Sequence, residues 1–234
     1  MENLLERLQA VQHRIAAAEL QAGRPPGAVR LLAVSKTWPA ESLRALAACG
    51  QRAFGESYVQ EALPKQAALA DLPLEWHFIG PLQSNKTRPV AAGFSWVHSV
   101  DRLKLAQRLA AQRDAHLPPL QVCLQVNVSG EASKSGVAPD ELPALARAVA
   151  ALPRLRLRGL MAIPEPTDDP ALLASRFGQV RMLLEALNDE AGLGLDTLSM
   201  GMSHDLEAAV AQGATIVRVG TALFGERPAP SNNL

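Results

Sequence analysis

The feature that most limits the fold of this chain is a strand-then-helix pattern that repeats from residue 30 nearly to the end. In the first unit, the apolar run after Arg30 reads as a buried strand ending near Lys36, and Pro39 opens a helix. The remaining predicted strands lie near residues 53–54 and at 75–80, 95–99, 120–128, 156–162, 196–200 and 215–219. Eight strands alternating with helices predict one α/β domain, a (β/α)8 TIM barrel over residues 1–234. A doubly wound open sheet is the alternative.

The two ends of the chain lie outside this repeat. Residues 1–29 are expected to form an extra N-terminal helix and a loop, because Leu4, Leu8, Val11 and Ile15 follow helical spacing before the Gly- and Pro-rich stretch 23–27. Residues 226–234 are expected to be a flexible tail.

The fifth predicted strand, residues 120–128, indicates which side of each strand faces the barrel. Its even-numbered residues are apolar, whereas Gln121, Cys123, Gln125 and Asn127 alternate with them. The apolar face suits a surrounding layer of helices, and the polar face suits a barrel interior near a ligand.

Lys36 lies at the carboxyl end of the first strand, where barrel active sites are built. Partial desolvation there favours the neutral amine, which makes Lys36 a candidate Schiff-base nucleophile. The alternative is a lysine that extends its ammonium group to water.

Two short motifs after the seventh and eighth strands are candidates for phosphate binding. The first runs from Ser199 through Gly201 to Ser203, and the second begins Gly220-Thr221. Loops at these places commonly bind phosphate in barrels, where glycine permits close approach and hydroxyls and amides donate. The alternative is structural: Ser203 would only cap the next helix, and Gly220 would only form a turn.

Arg218 shares a strand face with Gly220, so it is predicted to point into the barrel, where it requires an acceptor. A structural ion pair with Glu56 is the alternative to a ligand contact. A lysine, a phosphate site and an inward arginine describe a pocket for a phosphorylated aldehyde. A Schiff-base sugar-phosphate aldolase and a pyridoxal 5′-phosphate (PLP) protein both fit, and the motifs alone do not choose between them.

Composition and charge exclude several other classes. The chain has 23 basic and 23 acidic residues, which argues against a broad basic surface for nucleic acid. No apolar run reaches the length of a membrane span, and the N-terminus does not resemble a secretory signal. Cys49 and Cys123 have no CxxC spacing, and the histidines show no metal-ligand spacing. We therefore expect a cytoplasmic protein without metal, nucleic-acid or membrane partners. We also expect it to be a monomer.

Ordered motifs between residues 30 and 225 resemble the PLP homeostasis protein family, also called the YggS or proline synthase co-transcribed type. The motifs are Val34-Ser-Lys-Thr37, Phe54-Gly-Glu-Ser-Tyr-Val-Gln-Glu61, Trp76-His-Phe-Ile-Gly-Pro-Leu-Gln-Ser-Asn-Lys86, Gln125-Val-Asn127, Ser133-Lys-Ser-Gly136, Arg158-Gly-Leu-Met-Ala-Ile-Pro164, Leu198-Ser-Met-Gly-Met-Ser203 and Arg218-Val-Gly-Thr-Ala-Leu-Phe-Gly225.

The resemblance implies a barrel like the N-terminal domain of alanine racemase, with PLP held as an internal aldimine on Lys36. By position, Ser203, Gly220 and Thr221 would hold the phosphate, and Arg218 would face the pyridine nitrogen. The remaining candidate cofactor-binding residues are Ser57, His77, Ser199 and Gly201. For His77, a hydrogen-bonding role in the core is the alternative. Two positions depart from the family pattern: Ser57 replaces a usual asparagine, and His204 stands where an acidic residue is common.

The resemblance also implies a PLP carrier or buffer in vitamin B6 and amino-acid homeostasis, with no turnover and with apo PLP-dependent enzymes as possible recipients. An arginine beside the pyridine nitrogen disfavours its protonation, which weakens the ring as an electron sink. Racemisation in the alanine racemase group needs a tyrosine from a second domain, and this chain has a single tyrosine, Tyr58. A PLP-dependent racemase or lyase is the alternative. Lys86 and Lys134 are rival Schiff-base lysines, but both follow polar, loop-like stretches.

Overall fold

The computed structural model describes residues 4–129 and 135–226 and shows a closed barrel of eight parallel strands, arranged in chain order with the last paired to the first. The predicted TIM barrel is therefore confirmed, and the open sheet is not what forms. The strands are β1 (Arg30–Val34), β2 (Ala53–Glu56), β3 (Glu75–Phe78), β4 (Trp96–Val100), β5 (Leu120–Gln125), β6 (Leu155–Met161), β7 (Thr197–Ser199) and β8 (Ile216–Val219).

Helices surround the barrel, and an additional helix precedes it as predicted. They are α1 (Leu4–Gln21), α2 (Ala40–Ala48), α3 (Val59–Ala68), α4 (Thr87–Gly93), α5 (Leu103–Gln112), α6 (Leu142–Ala150), α7 (Pro170–Ala191), α8 (Leu206–Ala211) and α9 (Thr221–Phe224), with a 3-10 turn at Ser84–Lys86. None of these helices combines the length and the apolarity needed to cross a membrane.

Helix α1 packs against α8 and α9 through its apolar stripe, which includes Leu8, Val11 and Ile15. Near its end, the buried carboxylate of Glu19 accepts hydrogen bonds from the backbone N–H groups of Gly27 and Val29. These bonds fix the turn that leads from α1 into β1.

The alternation in β5 predicted the two faces correctly. Val122 and Leu124 pack into the main apolar cluster between strands and helices, whereas Cys123 contacts Trp96 and Met161 inside the barrel. The strand is shorter than predicted, because Asn127 N–H donates to Val137 O and the chain leaves the β6 ladder there.

Strand β8 also has the predicted orientation. Val217 and Val219 pack outward in the main cluster, whereas Ile216 packs against Leu32 inside the barrel, on the same side as Arg218. The inner side of β8 therefore carries the charged side chain expected at the ligand site.

The helix cap considered as the structural alternative for Ser203 is wrong. Helix α8 begins at Leu206 after Asp205, because the Asp205 carboxylate instead accepts the N–H of Met202 and closes a turn over residues 202–205. Ser203 lies within that turn, and its side chain caps no helix.

Candidate functional site

The barrel places the predicted phosphate loops directly beside the strand that carries Lys36. Strand β1 pairs with β8 in a register that sets Leu32 opposite Arg218. One step further, a Cβ atom on Gly220 would lie 3.2 Å from Val34 O. Lys36 follows Val34 by two residues, so the β1 and β8 ends meet where the sequence placed the site.

The loop after β7 lies on the other side of β8. The N–H of Arg218 donates to Gly201 O at 2.9 Å, which holds the two loops together. Gly201 has φ +95°, and a Cβ there would lie 2.6 Å from the Ala209 Cβ, so this turn requires glycine. Half-buried Ser203 follows in the loop after β7, and exposed Thr221 is the first residue of α9.

A buried polar cluster holds the backbone immediately before Lys36. Lys65, on α3, donates from Nζ to Ser35 O at 2.9 Å and to Glu56 Oε1 at 2.8 Å. Ser35 Oγ donates to the same Glu56 oxygen at 2.6 Å. Both the carbonyl and the side chain of Ser35 are therefore fixed by β2 and α3.

The backbone after Lys36 is held from the same helix. Thr37 has φ +70°, and its N–H donates to Glu61 Oε2 at 2.9 Å. A threonine in the left-handed region is strained, so the position depends on this contact and its surroundings. Lys36 itself is half-buried and lies between two backbone positions that α3 anchors.

Burial raises the pKa of the Glu56 carboxyl, and the hydrogen bonds from Lys65 and Ser35 offset part of that effect. Glu56 is fully buried, and its second oxygen, Oε2, has no hydrogen-bond partner among the described residues. The carboxyl group thus depends on Lys65 for its charge compensation.

Arg218 is buried and donates to oxygens of Ser199 and Ala162, not to Glu56. Nη1 donates to Ser199 O at 2.5 Å and to Ser199 Oγ at 2.9 Å, and Nη2 donates to Ala162 O at 2.9 Å. The ion pair with Glu56 considered from the sequence does not form, because Glu56 pairs with Lys65. Burial lowers the pKa of Arg218 to about 10, so the guanidinium stays charged at neutral pH.

Ser199 and His77 are joined through a residue that the sequence did not single out. His98 Nδ1 lies 2.7 Å from Ser199 Oγ, and His98 Nε2 lies 2.9 Å from His77 Nδ1. His77 Nε2 in turn lies 2.6 Å from Glu75 Oε1. Both ring nitrogens of His77 therefore have protein partners, and within the described part of the chain His77 is linked to Ser199 of β7 through His98.

Ser57 lies at the end of β2, buried against the next loop. A Cβ on Gly80 would lie 2.2 Å from Ser57 O, so the close approach of these backbones requires glycine at position 80. Ser57 and Lys86 line a common cavity of about 330 Å³. The other rival lysine, Lys134, lies outside the described residues.

A second cavity, of about 420 Å³, opens on the same carboxyl-terminal side of the barrel. It is lined by Gln125 of β5, by Ile163 and Pro164 after β6, and by Met202 in the loop after β7. This space lies next to the loops that carry Gly201 and Ser203 and offers a mostly apolar wall to a flat ring.

Two functional candidates, Lys65 and His98, were missed in the sequence. Lys65 lies on the apolar side of α3 at helical spacing from Val59, Ala62 and Leu69, a pattern that indicates burial. His98 is two residues after Trp96 on β4, so the two share the inner strand face. Each was detectable from periodicity, although its hydrogen-bond partners were not.

The hydrogen bond between His77 and Glu75 leads to a prediction on acid stability. The hydrogen bond from His77 lowers the pKa of Glu75 to about 2, against an ordinary value of 4.5. A carboxyl group with a lowered pKa stabilises the folded protein at pH values above its ordinary pKa. This contribution is lost as pH falls from 4.5 toward 2. In urea unfolding, the free energy of unfolding should fall less over that pH range for Glu75→Gln than for wild type. Equal losses in the two proteins would contradict the assignment.

Comparison with known proteins identifies close relatives over nearly the whole chain. Residues 7–228 match the family model described as alanine racemase, N-terminal domain. A pyridoxal phosphate homeostasis protein of Pseudomonas aeruginosa is 66% identical, with 97% of each chain covered. The protein of the same name from Escherichia coli K12 is 51% identical, covering 97% of this chain and 98% of that one.

Solved structures share the barrel. PipY of Synechococcus elongatus PCC7942, in a structure with PLP bound, is 42% identical with a TM-score of 0.83, covering 95% of this chain and all of that one. An alanine racemase from Corynebacterium glutamicum has a TM-score of 0.68 at 20% identity, covering 95% of this chain and 63% of that one. The second likeness concerns the fold alone.

Proposed function

The chain belongs to the pyridoxal phosphate homeostasis protein family, and we propose that it binds PLP and carries or buffers it for vitamin B6 and amino-acid homeostasis. The observation that carries this proposal is the pairing of β1 with β8, which brings Val34, two residues before Lys36, next to Gly220. The bound PLP of PipY, a relative 42% identical, supports the same ligand. One barrel domain, residues 1–234, would provide the whole site.

The residues at the strand ends fit the parts of PLP. The hydroxyls of Ser203 and Thr221 and the backbone amides near Gly220 would hold the phosphate, with Gly201 shaping the first loop. The Lys36 amine would condense with the aldehyde, forming a C=N bond with loss of one water. Ser57 would contribute one contact from the β2 end, and the apolar cavity wall suits the ring.

Arg218 bears on whether bound PLP would support catalytic turnover at this site. Among the described residues, three of its five N–H groups donate to Ser199 and Ala162, and the other two would be available to the pyridine nitrogen. When bound, PLP supplies an electron sink that is weaker if its ring nitrogen carries no proton, and a charged guanidinium opposes that proton. Tyr58, the one tyrosine, is 51% exposed at the start of α3. These features favour binding and release without turnover.

The proposed absence of turnover also suggests which proteins would receive PLP from this chain. A protein that holds PLP and does not turn it over would deliver it to apo PLP-dependent enzymes, as a monomer in the cytoplasm. PLP-loaded protein added to an apo-aminotransferase should restore its activity, whereas the protein alone should convert no amino acid. Amino-acid racemisation or elimination that scales with the amount of protein would contradict the proposal.

Thr221→Val tests the phosphate contact, because it removes the hydroxyl and keeps the branched shape of an exposed side chain. Loss of one hydrogen bond to a charged group should raise the Kd for PLP about tenfold. Equilibrium dialysis measures the Kd, and urea unfolding checks that stability is unchanged. A Kd equal to that of wild type would remove Thr221 from the site.

A further inference from the structure

A continuous line of polar side chains crosses the barrel interior from one face to the other. At the amino-terminal face, Arg30 Nη2 and His77 Nε2 both lie 2.6 Å from Glu75 Oε1. His98 then lies 2.9 Å from His77 and 2.7 Å from Ser199 Oγ. The line ends at the carboxyl-terminal face, where Arg218 Nη1 lies 2.9 Å from the same Ser199 oxygen.

The two ends of this line fix the direction of its outermost hydrogen bonds. An arginine can only donate, and an ionised carboxylate can only accept. Glu75 is ionised at neutral pH, because the hydrogen bond from His77 lowers its pKa to about 2. His77 therefore carries its proton on Nε2, and Arg218 donates to Ser199.

The histidines between them have one consistent arrangement. Burial lowers the pKa of both imidazoles, so each is neutral and has a single N–H. With the His77 proton on Nε2, its Nδ1 accepts from His98 Nε2–H. His98 Nδ1 then accepts from the Ser199 hydroxyl. Every group from Arg218 to Glu75 donates to the next one, with no donor facing a donor.

The surroundings hold the rings in this arrangement. Trp96 stacks on His77 with ring centroids 5.4 Å apart and planes 6° apart. The guanidinium of Arg158 lies 5.1 Å over the Trp96 ring, and it is paired with Asp196. His77, His98 and Ser199 are each at most 2% exposed. Water is excluded from the middle of the line, whereas Glu75 borders an open cleft of about 630 Å³.

We propose that Glu75, His77 and His98 are positioning residues that fix Ser199 and Arg218 from the opposite face of the barrel. Because the Ser199 hydroxyl proton is committed to His98, its oxygen is free to accept from Arg218, which orients the guanidinium. The link from Arg218 to PLP rests on the proposed function, whereas the hydrogen-bond line does not. Glu75, on the far side of the barrel, would then control a contact of the cofactor site.

Nitrogen-15 NMR of the full-length protein without PLP tests the line directly. His77 and His98 should both be Nε2–H tautomers at neutral pH, and the Arg218 guanidinium should rotate slowly. A proton on His98 Nδ1 would reverse the bond to Ser199 and overturn the proposal. Exposed His13 and His116 serve as references for signal assignment.

Two substitutions at Glu75 separate positioning from packing. Glu75→Leu removes the acceptor of His77 Nε2–H, so the His77 and His98 tautomers should change and the Arg218 guanidinium should rotate faster. Glu75→Gln keeps an acceptor oxygen and should restore the wild-type spectra. Glu190→Leu, at an exposed position of α7, is the matched control. Unchanged Arg218 dynamics in Glu75→Leu would refute positioning.

A PLP titration of the same variants tests the functional link. Glu75→Leu should weaken PLP binding about fivefold, the effect of one hydrogen bond, and Glu75→Gln should bind as wild type does. Wild-type affinity in Glu75→Leu, despite altered tautomers, would overturn the link to the cofactor site. Failure of the wild type itself to bind PLP would refute the proposed function. The NMR result alone would then test the hydrogen-bond line from Arg218 to Glu75.

Discussion

Lys65→Met is expected to destabilise the protein by about 3–5 kcal/mol, the cost of leaving a buried charge without its partner. Lys65 is 8% exposed, and its Nζ is 2.8 Å from a fully buried Glu56. Methionine has a similar length but supplies no charge, so Glu56 and Ser35 O lose a donor together. Urea unfolding with a fitted m-value measures the loss.

The pH dependence of the same variant has a definite sign. Without Lys65 the pKa of Glu56 should rise further above its ordinary value, because only the hydrogen bond from Ser35 then opposes the effect of burial. A raised carboxyl pKa favours the fold at low pH and weakens it as pH rises through that pKa. Lys65→Met should therefore lose more stability in alkaline than in mildly acidic buffer.

Two controls make this prediction specific. Lys104→Met changes an exposed lysine of α5 and should leave stability within about 0.5 kcal/mol of wild type. Adding Glu56→Leu to Lys65→Met removes the orphaned charge and should recover part of the loss. A loss below about 1 kcal/mol in Lys65→Met would show that the pair does not anchor β1.

Gly159→Ala is expected to cost about 3 kcal/mol or more, because no space exists for a side chain there. Gly159 of β6 pairs with Thr197 of β7, and a Cβ on it would lie 1.8 Å from Thr197 O. The clash is with backbone, so relief requires the two strands to separate near Ser199. Thermal and urea unfolding measure the effect.

The matched control is another glycine without a positive φ, Gly178 on α7. A Cβ there would approach only the end of the flexible Gln212 side chain, at 3.1 Å. Alanine is favoured over glycine in a helix by about 1 kcal/mol, so Gly178→Ala should be neutral or stabilising. Equal stability of the two alanine variants would contradict the account of the β6–β7 contact.

The sequence predicted the barrel because its strands carry face-specific patterns. The alternation around Cys123 and around Val217 assigned inner and outer faces correctly, since a strand allows only two sides. The strand-then-helix repeat also placed Lys36, Gly220 and Ser203 just after the carboxyl ends of strands. Their proximity followed from closure of the barrel, which makes β1 and β8 neighbours.

What the sequence did not predict depends on side chains that meet across the fold. His98 and Ser199 are hydrogen-bonded but 101 positions apart, and no local pattern pairs them. The cap at Ser203 was wrong because Asp205, two residues later, makes the stronger contact with the turn backbone. Lys65 was overlooked because a lysine on a helix is ordinarily solvated, and only the depth of Glu56 reveals its partner.

Borohydride reduction of the PLP-loaded protein, followed by peptide mass spectrometry, tests the central claim most directly. The account predicts a visible absorption band that reduction abolishes, with reduced cofactor attached to Lys36 and neither band nor attachment in Lys36→Ala. Attachment at Lys86 or Lys134, or a band retained in Lys36→Ala, would contradict the assignment of Lys36. No band after addition of PLP would contradict the proposed function itself.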